Sequence, residues 1–179
     1  MAMQRVVLGS LLGALIVVRG GFAGQISNPT ADSPSAIRLF ANLVGHWSCS
    51  GAFADGRPLS SDIIITPRAD GRAVQYQHHD RAPNDFVQES LWGPDFQNDQ
   101  LVSVAFAGNT KALGPQLFVA QVWSERSVVF EARPLTTPPF AASRFTYTIE
   151  TPNTLKMVWE VERNGVWSVG DQISCHRTP

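Results

Sequence analysis

The chain has 179 residues and a formal net charge of −1, with 16% charged and 44% hydrophobic residues, five Trp and ten Phe among the latter. That length and apolar content suit one domain with a sizeable core and exclude a disordered chain. The near-neutral charge leaves no electrostatic footprint for nucleic acid or for an anionic membrane surface.

In chain order, Arg5 precedes an apolar run over 6–18 (VVLGSLLGALIVV), and small residues lead to Ala23 and Gly24. A basic start, an apolar stretch shorter than the ~20 residues of a membrane span, and small residues at a cleavage position describe a signal peptide over 1–24. The protein is therefore expected to be exported, periplasmic or secreted, with no membrane span in the mature chain. A retained anchor, flanked by Arg19, is the alternative. Residues 25–33 carry Asn28-Pro29 and no periodicity, which reads as a flexible lead-in to a single domain over 34–179.

Ser33 suits a helix cap and Pro34 a first helical position, and Ile37, Phe40, Ala41 and Val44 recur at helical spacing. One short helix is predicted over 34–42. Everything after it alternates in the manner of strands, at 43–53, 59–66, 72–79, 86–92, 100–107, 116–123, 127–133, 143–150, 154–162 and 166–176. Turn clusters such as Asp55-Gly56, Pro83-Asn84, Pro152-Asn153 and Asn164-Gly165 separate the runs. No long crossover and no internal repeat intervene, so the fold class is all-β, an antiparallel meander of about ten strands.

Alternation assigns faces. Leu43, Gly45, Trp47, Cys49, Gly51 and Phe53 share one face of the first strand; Trp167, Val169, Ile173 and Cys175 share one face of the last, with Asp171. The strand before it turns Leu155, Met157, Trp159 and Val161 the same way. These faces coincide only if the last turn is the three-residue loop Arg163-Asn164-Gly165; a two-residue Asn-Gly turn would slip the register by one. The same test joins Ile149 to Leu155, and sets Val119, Gln121 and Trp123 against Val128, Phe130 and Ala132.

The chain has two cysteines. In an oxidising compartment they are expected to pair, with two buried free thiols as the alternative. A disulfide needs Cα atoms within about 7 Å, and an open meander would hold its first and last strands far apart. Pairing Cys49 with Cys175 therefore requires the sheet to curl until its edges meet: a closed up-and-down barrel with the first and last strands antiparallel neighbours.

With a short helix before Gly45-x-Trp47, the sequence resembles the calycin barrels, the group of lipocalins, fatty-acid-binding proteins and nitrobindins. Leu43-x-Gly45-x-Trp47-x-Cys49-x-Gly51 is similar to small exported bacterial lipocalin-like proteins of unassigned function. The resemblance implies that Trp47 closes one end of the interior. The chain departs from the fatty-acid-binding pattern, because Asp55-Gly56-Arg57 leaves no room for two helices. It departs from the haem-binding pattern too, because parity turns His176 outward.

For chemistry, the hairpin over 72–93 is the richest segment. Pairing Asp80 with Asp85 across Arg81-Ala82-Pro83-Asn84 puts Tyr76, His78 and Glu89 on one face. If that face is interior, the barrel holds an acid, an imidazole and a phenol, joined by Gln121, Asp171 and Tyr147. Tyr76 and Glu89 could equally hydrogen-bond each other across the ladder, and another register would turn His78 and Glu89 to solvent. With Trp47, Trp159 and Trp167, these are the candidate ligand-binding residues; an apolar cavity with a few convergent polar groups is how small-molecule sites are built. His78-His79 does not chelate, since neighbours on a strand point apart, and the spacing of His and Cys fits no zinc site. No metal, no cofactor and no catalytic residue is assigned. The expected function is an exported barrel that binds a small apolar or amphipathic ligand without catalysis. The alternatives are an isomerase- or lyase-type barrel using Tyr76, His78 and Glu89 as acid–base groups, and a partner-binding barrel with a filled core, for which the loop 135–140 (LTTPPF) is the exposed apolar candidate.

Overall fold

A computed structural model describes residues 34–109, 112–133 and 142–179. The signal peptide and lead-in expected over 1–33, with the Ser33 cap, lie outside the described residues, as does the loop 135–140.

One helix, α1 (Pro34–Leu43), precedes ten strands: β1 (Gly45–Phe53), β2 (Pro58–Arg68), β3 (Ala73–Asp80), β4 (Val87–Asp95), β5 (Gln100–Gly108), β6 (Gly114–Ala120), β7 (Ser127–Arg133), β8 (Ala142–Thr151), β9 (Thr154–Arg163) and β10 (Val166–Thr178). Each strand pairs antiparallel with the next, and β10 returns to β1, so the sheet is a closed barrel. The register runs from His46 opposite Thr178 to Phe53 opposite Asp171, with Cys49 directly across from Cys175. Those two sulfurs are bonded. Closure gives every strand a neighbour on both sides, with the β6–β7 ladder reduced to Leu117–Val119 against Glu131–Arg133 among the described residues.

The helix stops one end, here the lower one. Its buried stripe is Ala36, Leu39, Phe40 and Leu43 at i, i+3, i+4 and i+7. Phe40 is on the expected face, whereas Ile37 is turned out to solvent. The Trp47 indole donates to the Leu43 carbonyl at 3.0 Å. Arg177 lies 4.1 Å over the Trp47 ring and donates to the Asn42 and Pro152 carbonyls at 3.0 Å each, and to that of Val44. Arg38 reaches Glu125 at 2.6 Å. Above this seal, rings fill the barrel: Trp92 stacks on Tyr76 at 4.7 Å and meets Phe130 and Tyr147 at 4.9 Å each. Trp92 is therefore core and not rim.

The β9–β10 and β3–β4 registers differ from the expected ones, each through one residue, while β8–β9 keeps its expected pairing across a tighter turn. The β9–β10 turn is the two-residue Asn164-Gly165, with Val166 opposite Arg163. Both turn residues have positive φ, 54° and 77°, the backbone that Asn-Gly adopts readily. The slip this causes is undone by a bulge at Gly170, between Val169 and Asp171, which restores Ile173 opposite Met157 and Cys175 opposite Leu155. At the foot of β8 a bulge at Glu150 acts in the same way: Ile149 pairs with Leu155 across a turn in which Thr151 meets Thr154. In the β3–β4 hairpin the Asp80 N–H donates to the Phe86 carbonyl at 2.9 Å and His79 sits opposite Val87, so the loop is one residue longer than expected. No bulge follows there, and the whole of β4 turns over: Gln88, Ser90 and Trp92 face inward, and Glu89 faces out.

The strand β6 also ends early. Phe118 and Ala120 point inward, Gln121 is exposed, and only Trp123 returns to the core through a single bridge to Val128.

Candidate functional site

The upper end, away from α1, gathers the polar side chains of the interior. On β3, alternation lines up Val74, Tyr76, His78 and Asp80 on the inner face. The Tyr76 hydroxyl stands 3.1 Å from His78 Nδ1, and His78 Nε2 stands 3.0 Å from Asp80 Oδ1. The His78 and Asp80 side chains are 4% and 5% exposed. When Asp80 is ionised it accepts from Nε2–H, which leaves Nδ1 to accept the Tyr76 proton. Tyr76 also lies 3.8 Å from Met157 Sδ, and the Tyr147 ring meets its own edge-on at 5.7 Å. Burial pushes both phenols above their ordinary range, with the neighbouring tyrosine and the Asp80 and Asp171 charges adding to the rise at Tyr76. They are hydrogen-bonding phenols, not phenolates.

Asp171 enters the same space from β10, between Phe53 of β1 and Trp159 of β9. Its Oδ1 is buried and has no hydrogen-bond partner among the described residues. Burial, followed by the Asp80 charge, raises its carboxyl from 3.8 to about 7. The Trp159 ring lies over Gly170: a Cβ there would stand 2.3 Å from it. The bulge thus serves two ends, since it returns Asp171 to the inner face and its glycine makes room for the indole.

Around these groups stand half-buried rings, Phe53, Phe86 and Phe145, packed on the edge of the core. Phe86 meets His78 edge-on at 5.4 Å, and Phe145 lies 6.4 Å from Trp159. The result is an amphipathic cluster at the upper end, called the cup below: phenols and a thioether, two carboxyls and an imidazole, with aromatic rings around them. Among the described residues no group of three or more His, Cys, Asp and Glu is placed to hold a metal ion.

The sequence candidates divide cleanly. Tyr76, His78, Tyr147 and Trp159 meet in the cup, and Trp47 lies at the opposite, sealed end. Glu89 is on the outer face beside Gln77, displaced by the longer hairpin loop. Gln121 is exposed because the β6 ladder breaks before it. Trp167 is outside as well: opposite Glu162 on the far side of the bulge, it carries Arg144 over its ring at 4.2 Å, and Arg144 in turn pairs with Glu160 at 2.7 Å. The residue that alternation could have supplied is Asp80, which shares the parity of Tyr76 and His78 but reads as a turn residue at the end of its run.

No family model matches this chain, and no curated protein matches it. Among solved structures it is similar to EF1p2_mFAP2b bound to DFHBI, at 13% identity and a TM-score of 0.42 over 80% of this chain and 100% of that one. It is also similar to the S-type phycobiliprotein lyase CPES from Guillardia theta, at 12% identity and a TM-score of 0.49 over 81% of this chain and 93% of that one.

Proposed function

We propose that this is an exported, calycin-like barrel that binds a small amphipathic molecule, without catalysis, in the cup at its upper end. The observation that carries the reading is the half-buried Asp171 carboxyl on the inner face, whose Oδ1 is buried and has no partner among the described residues. A packed core gains nothing from such a group, since an unsatisfied buried polar atom costs on the order of 1–3 kcal/mol. A ligand that donates a hydrogen bond, an amine or a hydroxyl, would satisfy it. The apolar body of that ligand would lie against Phe53, Phe86, Phe145 and Trp159. Export is supported by the Cys49–Cys175 bond, which suits an oxidising compartment, and by the form of residues 1–24.

The test is purification of the protein from its native host, organic extraction and mass spectrometry. A stoichiometric small molecule bearing a donor group, retained by Glu89→Gln and lost from Asp171→Leu, is the expected result. Protein that carries nothing, and whose tryptophan emission does not respond to amphipathic amines or alcohols, would refute it.

A second reading is favoured by one observation, the continuous Asp80–His78–Tyr76 chain at 3.0 and 3.1 Å. It is the order of groups that moves a proton in acid–base catalysis, with Asp80 where the sequence suggested Glu89. If the cup turns its ligand over, Tyr76→Phe abolishes product formation while leaving ligand affinity within a few-fold.

A further inference from the structure

The outer surface of the barrel is polar on most strands. Gln75, Gln77 and His79 face out from β3, and Gln172, Ser174 and His176 from β10. The outside of β4, β5 and β6 breaks this pattern. On β5, Val102, Val104 and Phe106 point outward while Leu101, Ser103, Ala105 and Ala107 point inward, so small side chains fill much of the core side and bulky apolar ones face water. Leu91 of β4 and Leu117 of β6 flank Val104, and Pro115 flanks Phe106. Leu91, Val104 and Phe106 are 52%, 58% and 54% exposed. A contiguous apolar face of this kind marks an interaction site.

We infer that this face is the interface of a homodimer, in which β4–β6 of two copies stack face to face about a two-fold axis running along β5. In a closed barrel both sides of a strand are taken by its neighbours, so a sheet face is the extended surface open to a partner. The face is complementary to itself. With the axis beside Val104, Val104 and Phe106 meet their own counterparts, and Leu91 meets Leu117 of the second copy. Opposite charges border the face. Glu89 stands at the β4 margin, opposite Phe106, and Arg133 at the β7 margin, opposite Leu117. The same rotation sets Glu89 of one copy over Pro115 of the other, one strand in from Arg133 and two residues further along, so that the two long side chains approach each other. Among the described residues Arg133 pairs with Glu131 at 3.8 Å. A specific pair needs roughly 1,000 Å² buried in total, about 500 Å² from each copy. A membrane surface fits less well, because Arg133 is the one basic residue bordering the described face and no Trp or Tyr lies on it.

Sedimentation equilibrium of the purified full chain between 1 and 100 µM is the test. Twice the monomer mass at the upper concentrations is expected, with Phe106→Glu raising the dissociation constant at least 100-fold while the disulfide and the circular dichroism stay unchanged. Val104→Cys introduces the one free thiol of the protein and, lying near the axis, should form an intermolecular disulfide on mild oxidation. Glu89→Lys should weaken the dimer about ten-fold and Glu89→Lys with Arg133→Glu restore it, which keeps the test open if Phe106→Glu fails to fold. A monomer at 100 µM, a dimer indifferent to these substitutions, or a monomer that floats with phosphatidylcholine vesicles would overturn the inference.

Discussion

Replacing Asp171 with asparagine should stabilise the protein at neutral and alkaline pH and leave it almost unchanged in acid. The carboxyl ionises near 3.8 in an unfolded chain and near 7 in the folded one, because it is buried and stands close to the Asp80 charge. Between those values the native state holds a proton that the unfolded state has released. Stability therefore falls as pH rises through this window, by 1.36 kcal/mol per pH unit for one proton. Over the interval from 3.8 to about 7 the loss is roughly 4 kcal/mol, complete once the folded carboxyl is ionised. Asparagine keeps the shape and removes the charge. At pH 8 the variant should exceed the wild type by a few kcal/mol, on the order of 10 °C in Tm; near pH 3.5, where both side chains are neutral, the two should coincide. Urea unfolding at half-unit steps from pH 3.5 to 9, with the disulfide intact, supplies the comparison. Every other titrating group is common to both proteins, so the difference between the curves isolates Asp171. If the two curves run parallel across pH 4 to 7, the carboxyl is not buried in the way described and the cup loses its defining group.

Replacing Cys49 and Cys175 together by serine should cost about 4–5 kcal/mol, since the bond closes a loop with a sequence separation of 126; denaturant midpoints of variant and wild type measure it. Gly170→Ala should cost about 1–3 kcal/mol, because the new Cβ would stand 2.3 Å from the Trp159 ring, and the near-UV circular dichroism should change with the displaced indole. Asp80→Ala should cost about 1–3 kcal/mol by leaving His78 Nε2 buried without its acceptor, whereas Glu89→Ala on the outer face should stay within about 0.5 kcal/mol. The reverse order of the last two would restore the hairpin register that alternation alone suggested.

What the sequence determined by itself is the container. Ten alternating runs, short turns and one helix are local properties, because a period of two and a turn residue are visible within a few positions. The two cysteines converted that local list into a closed barrel, since one covalent bond between the first and last strands admits no open sheet. The inner positions of β1, among them Trp47 and Cys49, followed from parity, which also put Tyr76 and His78 of β3 on one common face without saying which side of the sheet it was. The contents of the cup did not. Parity is binary, so one residue more or less in a turn reverses a whole strand, and nothing in Arg81-Ala82-Pro83-Asn84 distinguishes a four-residue from a five-residue loop. That single residue moved Glu89 out and brought Gln88, Ser90 and Trp92 in. The Gly170 bulge had the opposite effect: it cancelled the slip at Asn164-Gly165, leaving Trp167 outside and keeping Asp171 within. Where a strand bulges is decided by what it must pack against, here the Trp159 ring, and that contact exists only once β9 and β10 are paired. The meeting of Asp80 with Asp171, from strands ninety residues apart in sequence and joined only by closure, is likewise a property of the barrel and not of any segment of it.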